Sequence, residues 1–220
     1  ATVPRALAQS RSVIPPDDLA RVQRVFAGQY VRFPDTYVVP STMPPDAREV
    51  MLYARALSAS RNPSVIALAV RIRDRAAGRI GRPLVPVELV QAITDAGHEL
   101  VVYTPDPPGV EVFNAVEWTL WSAAGKRISP LTSAPMGTGD CEDIADTTCA
   151  LGIANGLDMR PKWWNQSGAP QNHVAGTWRN AGAIISVETT LPGAWVGETP
   201  EQAAFRLGPG AMDKVYGVAI

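Results

Sequence analysis

One helix with a clear start and a clear stop most constrains how this chain can fold. Asp140 is a good helix N-cap, Asp143 stands three residues later as in a capping box, and Gly156 follows the last helical position, Asn155. Helical patterns precede this segment, and apolar residues with a period of two follow it. Helices first and strands later predict an α+β fold with an antiparallel sheet after a central helix.

The remaining elements are predicted from the same signals. Further helices are expected at 17–27, 47–59, 63–77 and 86–96, and in part of 112–124. Strands are expected at 100–103, 162–165, 172–178, 183–189 and 215–220. Asp46 is the expected N-cap of the second of these helices, and Gly78 and Gly97 are expected to end the third and fourth.

The first 45 residues contain seven prolines and little periodicity. Such a segment cannot form a core of its own. The sequence therefore predicts a Pro-rich N-terminal arm over residues 1–45, extended over the body or reaching a protein partner. Residues 46–220 are predicted to be the catalytic domain and to fold without the arm.

Composition excludes several classes of function. The net charge of -1 gives no general argument for nucleic-acid binding. No apolar run approaches the roughly 18 residues of a membrane span. Cys141 and Cys149 lie eight residues apart on one predicted helix, about 12 Å along its axis, too far for a disulfide. Free thiols favour a reducing, cytoplasmic compartment.

Cysteine, histidine and carboxylate occur in that order on three different predicted elements, at Cys141, His173 and Glu188. This is the layout of a nucleophilic site in which a thiolate attacks a carbonyl carbon. Cys141 lies in the first turn of the central helix, where the dipole and unpaired N–H groups lower a thiol pKa and can bind an oxyanion. Glu142 and Asp143 oppose this effect, so the thiolate depends on His173.

The hairpin register supports the pairing of histidine and carboxylate. A two-residue turn at Asn180 and Ala181 places His173 directly opposite Glu188, and a four-residue loop gives the same register. Opposite residues have Cβ atoms about 4.5–5.5 Å apart. A three-residue loop breaks the pairing, and Asp146 or Asp158 then becomes the candidate carboxylate.

Three motifs carry a resemblance to a known family. Gly-Asp-Cys-Glu-Asp at 139–143, Asn-His-Val at 172–174 and Val-Glu-Thr-Thr at 187–190 resemble the transglutaminase-like cysteine-enzyme superfamily, which has a papain-like core. Segments 101–111 and 117–120 look like the region before the nucleophile in bacterial and phage-encoded members.

The resemblance implies that Cys141 is the nucleophile and His173 the base and then the acid. The third position, usually Asp in the family, is Glu188 here and implies an orienting carboxylate. The resemblance also implies an oxyanion donor upstream of the cysteine, either Trp118 or Trp121, beside the backbone N–H of Cys141.

Four tryptophans surround the expected site in the sequence, and two of them, Trp163 and Trp164, are candidates for binding an extended peptide. Core packing is the alternative for both. Cys149 is expected in the core and His98 in a structural role. One thiol and one imidazole are too few soft ligands for zinc, so no metal and no cofactor are expected.

Two hypotheses for the function follow. The first is a cysteine-dependent acyl-transfer enzyme that acts on peptide or glutamine amide bonds through a thioester. Hydrolysis is favoured over transamidation because water needs no second binding site. The second is a non-catalytic interaction protein, for example a phage particle component, that keeps the fold as a scaffold and docks through the arm.

Overall fold

The computed structural model describes residues 13–107, 109–122, 127–164, 173–208 and 211. Seven helices occur in this part of the chain: α1 (Pro16–Phe26), α2 (Pro45–Ala59), α3 (Pro63–Ile80), α4 (Pro86–Leu100), α5 (Val116–Trp121), α6 (Cys141–Ala154) and α7 (Pro200–Leu207). The predicted strand at 215–220 lies outside the described residues.

Seven short strands form three small sheets in the described residues. They are β1 (Thr36–Val38), β2 (Val101–Tyr103), β3 (Val112–Asn114), β4 (Gly137–Gly139), β5 (Asp158–Trp164), β6 (His173–Asn180) and β7 (Ala183–Val187). β1 pairs antiparallel with β3, β2 pairs parallel with β4, and β5, β6 and β7 form an antiparallel sheet in that order. The mixed α+β class is therefore confirmed.

Two of the expected helix ends are wrong, for different reasons. α3 continues past Gly78 to Ile80 and ends at Gly81, whose φ of 78° is the left-handed conformation that glycine adopts at little cost. α4 continues past Gly97 to Leu100. Gly97 is needed inside the helix because a Cβ there would lie 2.7 Å from Thr148 Oγ1 of α6.

The segment 112–124 is helical in part, as expected, at α5, and the strand β3 precedes that helix. Local signals mislead at two other places. Asp46 lies inside α2, whose N-cap is Pro44. The parallel pair of β2 and β4 was not expected, because β4 reads Gly-Thr-Gly and carries no strand pattern. Its glycines serve close packing: a Cβ on Gly137 would overlap the carbonyl oxygen of Thr119.

The core is built around α6, which is buried from Cys141 to Gly152. One apolar cluster on this helix includes Ile144 and Cys149 and extends to α3, α4 and the three-stranded sheet. A second cluster includes Cys141 and Ala145 and extends to α1, α2 and the start of β6. The helix that carries the nucleophile candidate therefore joins the two halves of the core.

The described part of the N-terminal segment, residues 13–45, packs against the rest of the protein. It contains α1 and β1, and its apolar side chains enter the same cluster as Cys141. The buried members from this segment are Ile14, Val22, Val25, Phe33, Val39 and Met43. A boundary at residue 45 would divide one hydrophobic cluster, so this packing argues against independent folding of residues 46–220.

Among the described residues, no helix is both long enough and apolar enough to cross a membrane.

The packing of α1 can be tested with a matched pair of substitutions. Val25 is fully buried and Val38 is 62% exposed, and both belong to the N-terminal segment. We expect Val25→Ala to lower the free energy of unfolding by about 2 kcal/mol, since it removes buried methyl groups and leaves a cavity. Val38→Ala should change it by less than about 0.5 kcal/mol. Equal effects in urea titrations would show that α1 is not part of the core.

Candidate active site

The chain enters the site through β4 and a tight turn at the start of α6. A Cβ on Gly139 would lie 2.5 Å from the Cβ of Asp143, so this close approach requires glycine. The Asp143 carboxylate accepts hydrogen bonds from the backbone N–H of Asn114 (2.8 Å) and from its side-chain amide (2.5 Å). Asp143 therefore ties α6 to β3 instead of forming the expected capping box. Asp140 occupies the N-cap position, but its side chain makes no capping hydrogen bond.

His173 and Glu188 form a buried pair. The Nε2 atom of His173 lies 2.8 Å from Oε2 of Glu188, and both side chains are fully buried. The other carboxylate oxygen, Oε1, accepts from the backbone N–H of Thr190 at 2.6 Å and of Leu191 at 3.1 Å. Because an ionised carboxylate only accepts hydrogen bonds, Nε2 carries the proton and Nδ1 is the basic nitrogen. The contact expected between these two side chains is present.

The register that brings them together differs from the expected one. The turn lies at Ala181 and Gly182, and Asn180 pairs with Ala183, so the register is shifted by two residues. A shift of two keeps every side chain on its face of the sheet. His173 is therefore not directly opposite Glu188; Glu188 follows the end of β7 at Val187 and reaches the imidazole diagonally.

Cys141 lies beside the first residues of β6. The backbone N–H of Val174, the residue after His173, lies close enough to the thiol sulfur to stabilise its thiolate form. The thiol itself donates to Oε2 of Glu142 at 2.8 Å. Burial raises the pKa of Cys141 well above its ordinary value, and the carboxylates of Glu142 and Asp140 raise it further. The N–H groups at the helix start were expected to lower the thiol pKa. Burial and two nearby acidic groups outweigh that effect.

Three carboxylates lie close together at the start of α6. Ligand oxygens of Asp106, Asp140 and Glu142 all lie within 4.8 Å of one another. Burial raises the pKa of Asp140 to about 8, with a further rise from the charge of Asp143. Burial and Asp140 also raise the pKa of Glu142 well above its ordinary value. Such a group must hold protons or a cation, since like charges at this distance repel strongly.

These oxygens fit a hard cation such as calcium better than zinc. Oδ1 of Asp140 is buried and has no hydrogen-bond partner among the described residues, so it is free to ligate. The sequence argument against a metal counted only thiols and imidazoles, and it missed this cluster. Asp106 lies between Pro105 and Pro107 in the sequence, and no spacing rule linked it to the start of α6.

The tryptophan candidates divide into two pairs. Trp118 and Trp121 lie on α5, Trp121 is 42% exposed, and neither belongs to the apolar cluster that contains Cys141. Trp163 belongs to that cluster and lies opposite Val174 on the sheet, while Trp164 lies opposite His173. The indole N–H groups of Trp163 and Trp164 are buried without a hydrogen-bond partner among the described residues.

The alternative carboxylates do not replace Glu188. Asp158 is exposed and pairs with Arg160 at 3.1 Å. Asp146 is buried within α6; burial raises its pKa, and the charge of Arg55 opposes that rise. Cys149 is fully buried in the core, as expected. Among these groups, only Glu188 has a hydrogen bond to the histidine in the described structure.

No family model matches this chain, and comparisons with curated proteins and with solved structures find no match either.

The raised pKa of Asp140 predicts how stability depends on pH. Its pKa rises from the ordinary 3.8 to about 8 in the folded protein. Between these two pKa values, Asp140 holds a proton in the folded protein that it has released in the unfolded chain. Its contribution to stability is therefore fully present below pH 3.8 and is lost as the pH rises through about 8. From Asp140 alone, we expect the unfolding free energy in a chelating buffer to fall by up to about 1.4 kcal/mol per pH unit between pH 5 and 8. The raised pKa values of Glu142 and Asp146 add to this decline.

Asp140→Asn should flatten that decline, because its amide does not titrate. The exposed Asp35→Asn is the matched control and should leave the slope unchanged. An identical slope in the parent and in Asp140→Asn would contradict the assignment.

The carboxylate cluster also predicts a cation effect. Millimolar calcium should raise the melting temperature, because bound cation removes the repulsion among Asp106, Asp140 and Glu142. A chelator should reverse the rise, and Asp106→Asn should abolish it. Isothermal titration calorimetry measures the same binding directly, and an absence of heat at neutral pH in the parent would contradict the prediction.

Proposed function

We propose that this protein is a cysteine-dependent acyl-transfer enzyme that hydrolyses peptide or glutamine amide bonds. One observation carries the proposal: a buried imidazole is oriented by a carboxylate at 2.8 Å, and the next residue of the same strand contacts the sulfur of Cys141. The papain-like identity of the fold and the kinship with transglutaminase-like enzymes are part of the same proposal, and the motifs at 139–143, 172–174 and 187–190 support them.

The geometry suggests how each residue contributes. Glu188 accepts a hydrogen bond from Nε2–H and so fixes the tautomer, and Nδ1 of His173 then takes the thiol proton of Cys141. The thiolate attacks the carbonyl carbon, and the oxygen becomes negatively charged near the backbone N–H of Cys141 at the helix start. The imidazolium then protonates the leaving amine, and a thioester remains on the sulfur.

Water completes the reaction. His173 removes a proton from the water, which attacks the thioester and releases the acid and the free thiol. An amine could take the place of water and give transamidation. We favour hydrolysis because water needs no binding site of its own.

The carboxylates beside the thiol set a condition for activity. While Glu142 and Asp140 are ionised, they disfavour the thiolate that the reaction requires. Their raised pKa values keep protons on them at neutral pH and so limit this effect. A cation held by Asp106, Asp140 and Glu142 would supply positive charge in the same place.

The burial of the site supports a second candidate, a non-catalytic interaction protein. Cys141 is only 6% exposed and His173 is fully buried, so a substrate carbonyl has no open route to the sulfur in the described structure. Thiol reactivity separates the two candidates. A scaffold cysteine should alkylate slowly, with the pH dependence of an ordinary or raised thiol pKa, while an imidazole-paired cysteine reacts fast below neutral pH.

The two cysteines offer a matched test of covalent catalysis. Cys141→Ala should abolish hydrolysis in a screen of peptide and glutamine amide substrates and leave the melting temperature within a few degrees of the parent. Cys149→Ala removes the other thiol and should keep activity within about threefold, since Cys149 lies in the core. His173→Ala should reduce kcat by about 10²–10⁴-fold. Activity of Cys141→Ala near that of the parent would refute the proposed mechanism.

A further inference from the structure

The helix α4 holds the segment that follows β7 through one side chain, Gln91. The side-chain N–H of Gln91 donates to the carbonyl oxygen of Ala194 at 3.0 Å, and its carbonyl oxygen accepts from the backbone N–H of Val196 at 3.0 Å. A single amide therefore satisfies both a backbone acceptor and a backbone donor of this segment, residues 188–197, which we call the carboxylate loop.

The carboxylate loop begins with Glu188 and folds back on itself. Its first turn donates two backbone N–H groups to Oε1 of Glu188, from Thr190 and Leu191. Ala194 donates its N–H to the carbonyl of Leu191 at 3.1 Å, and Gly197 donates its N–H to the carbonyl of Ser186 at 2.8 Å. Gln91 therefore holds the loop at two places. Ala194 bonds to Leu191, which donates to the carboxylate, and Val196 precedes Gly197, which bonds to β7.

The same helix is fixed against the nucleophile helix. Gly97 of α4 approaches α6 so closely that a Cβ would meet Thr148 Oγ1 at 2.7 Å. The next residue, His98, lies beside the backbone of Thr189 in the carboxylate loop. α4 therefore contacts α6 at one position and the carboxylate loop at two others.

We propose that α4 sets the distance between the nucleophile helix and Glu188, and that Gln91 is a positioning residue for the His173–Glu188 pair. Its catalytic consequence rests on the proposed function. Gln91 bonds to the loop backbone and to Asp95, not to the imidazole, the carboxylate or the thiol. Its loss should therefore lower the fraction of molecules with Glu188 in place, which reduces kcat and leaves KM nearly unchanged.

The test uses the full-length protein and a readout that does not require a substrate. Proton NMR detects the Nε2–H of His173 at low field, and His173→Gln assigns the signal by its loss. Gln91→Met keeps the size of the side chain and removes both loop hydrogen bonds. We expect the signal to broaden or to exchange with water at least about tenfold faster, and kcat on any hydrolysed substrate to fall by about tenfold at constant KM.

Two controls isolate the loop contact. Gln23→Met makes the same change at an exposed position of α1, and Asp95→Asn alters the other partner of Gln91, which lies 2.9 Å from it. Both should leave the signal and kcat unchanged. If Gln91→Met does not fold, Gln91→Glu serves instead: it keeps the acceptor for Val196 and loses the donor to Ala194, and an intermediate loss is expected.

The outcomes separate this inference from the proposed function. A Gln91 variant with a lower melting temperature but an unchanged His173 signal and unchanged kcat would overturn the positioning role. A weakened signal in a protein that hydrolyses none of the substrates tested would support the positioning role and count against the proposed enzyme.

Discussion

The structure depends on enclosing an acidic helix. α6 is buried over its first three turns, although it carries Glu142, Asp143 and Asp146 there. Burying a charge costs several kcal/mol unless the charge is paired or neutralised. Each of these carboxylates is paired or neutralised in a different way, and the partners lie on several other elements of the fold.

Each buried carboxylate of α6 has a distinct environment. Asp143 bonds to the backbone and side chain of Asn114, which fixes β3 against the helix. Asp146 lies in the field of Arg55, which is itself buried and donates to the carbonyl of Phe113 at 3.0 Å. Glu142 accepts from the thiol of Cys141. The partners of Asp143 and Asp146 are structural, whereas the hydrogen bond between Glu142 and Cys141 links the buried carboxylates of α6 to the candidate nucleophile.

The candidate site was predictable where local sequence rules apply. Cys141 lies at a predicted helix start, and His173 and Glu188 lie on two predicted strands. The alternation of side chains along a strand was enough to place His173 and Glu188 on the same face of the hairpin. The register itself was not predictable, because Gly182 and Ala181 adopt positive φ and move the turn by one residue along the chain. Contacts between distant segments were also not predictable. Asp106 lies close to Asp140 because β2 pairs in parallel with the short Gly-Thr-Gly strand β4.

The apolar side chains of α1 belong to the buried cluster that contains Cys141, and this packing has a consequence for how the chain folds during synthesis. Val22 and Val25 are synthesised long before Trp163 and Val174, yet all four belong to the same buried cluster. Contacts this distant in sequence form slowly, and the early segment stays exposed until its partners emerge. Chaperones that bind apolar nascent segments would therefore meet α1 while its partners are still unmade, and the thiol of Cys141 would stay unshielded until β6 is complete.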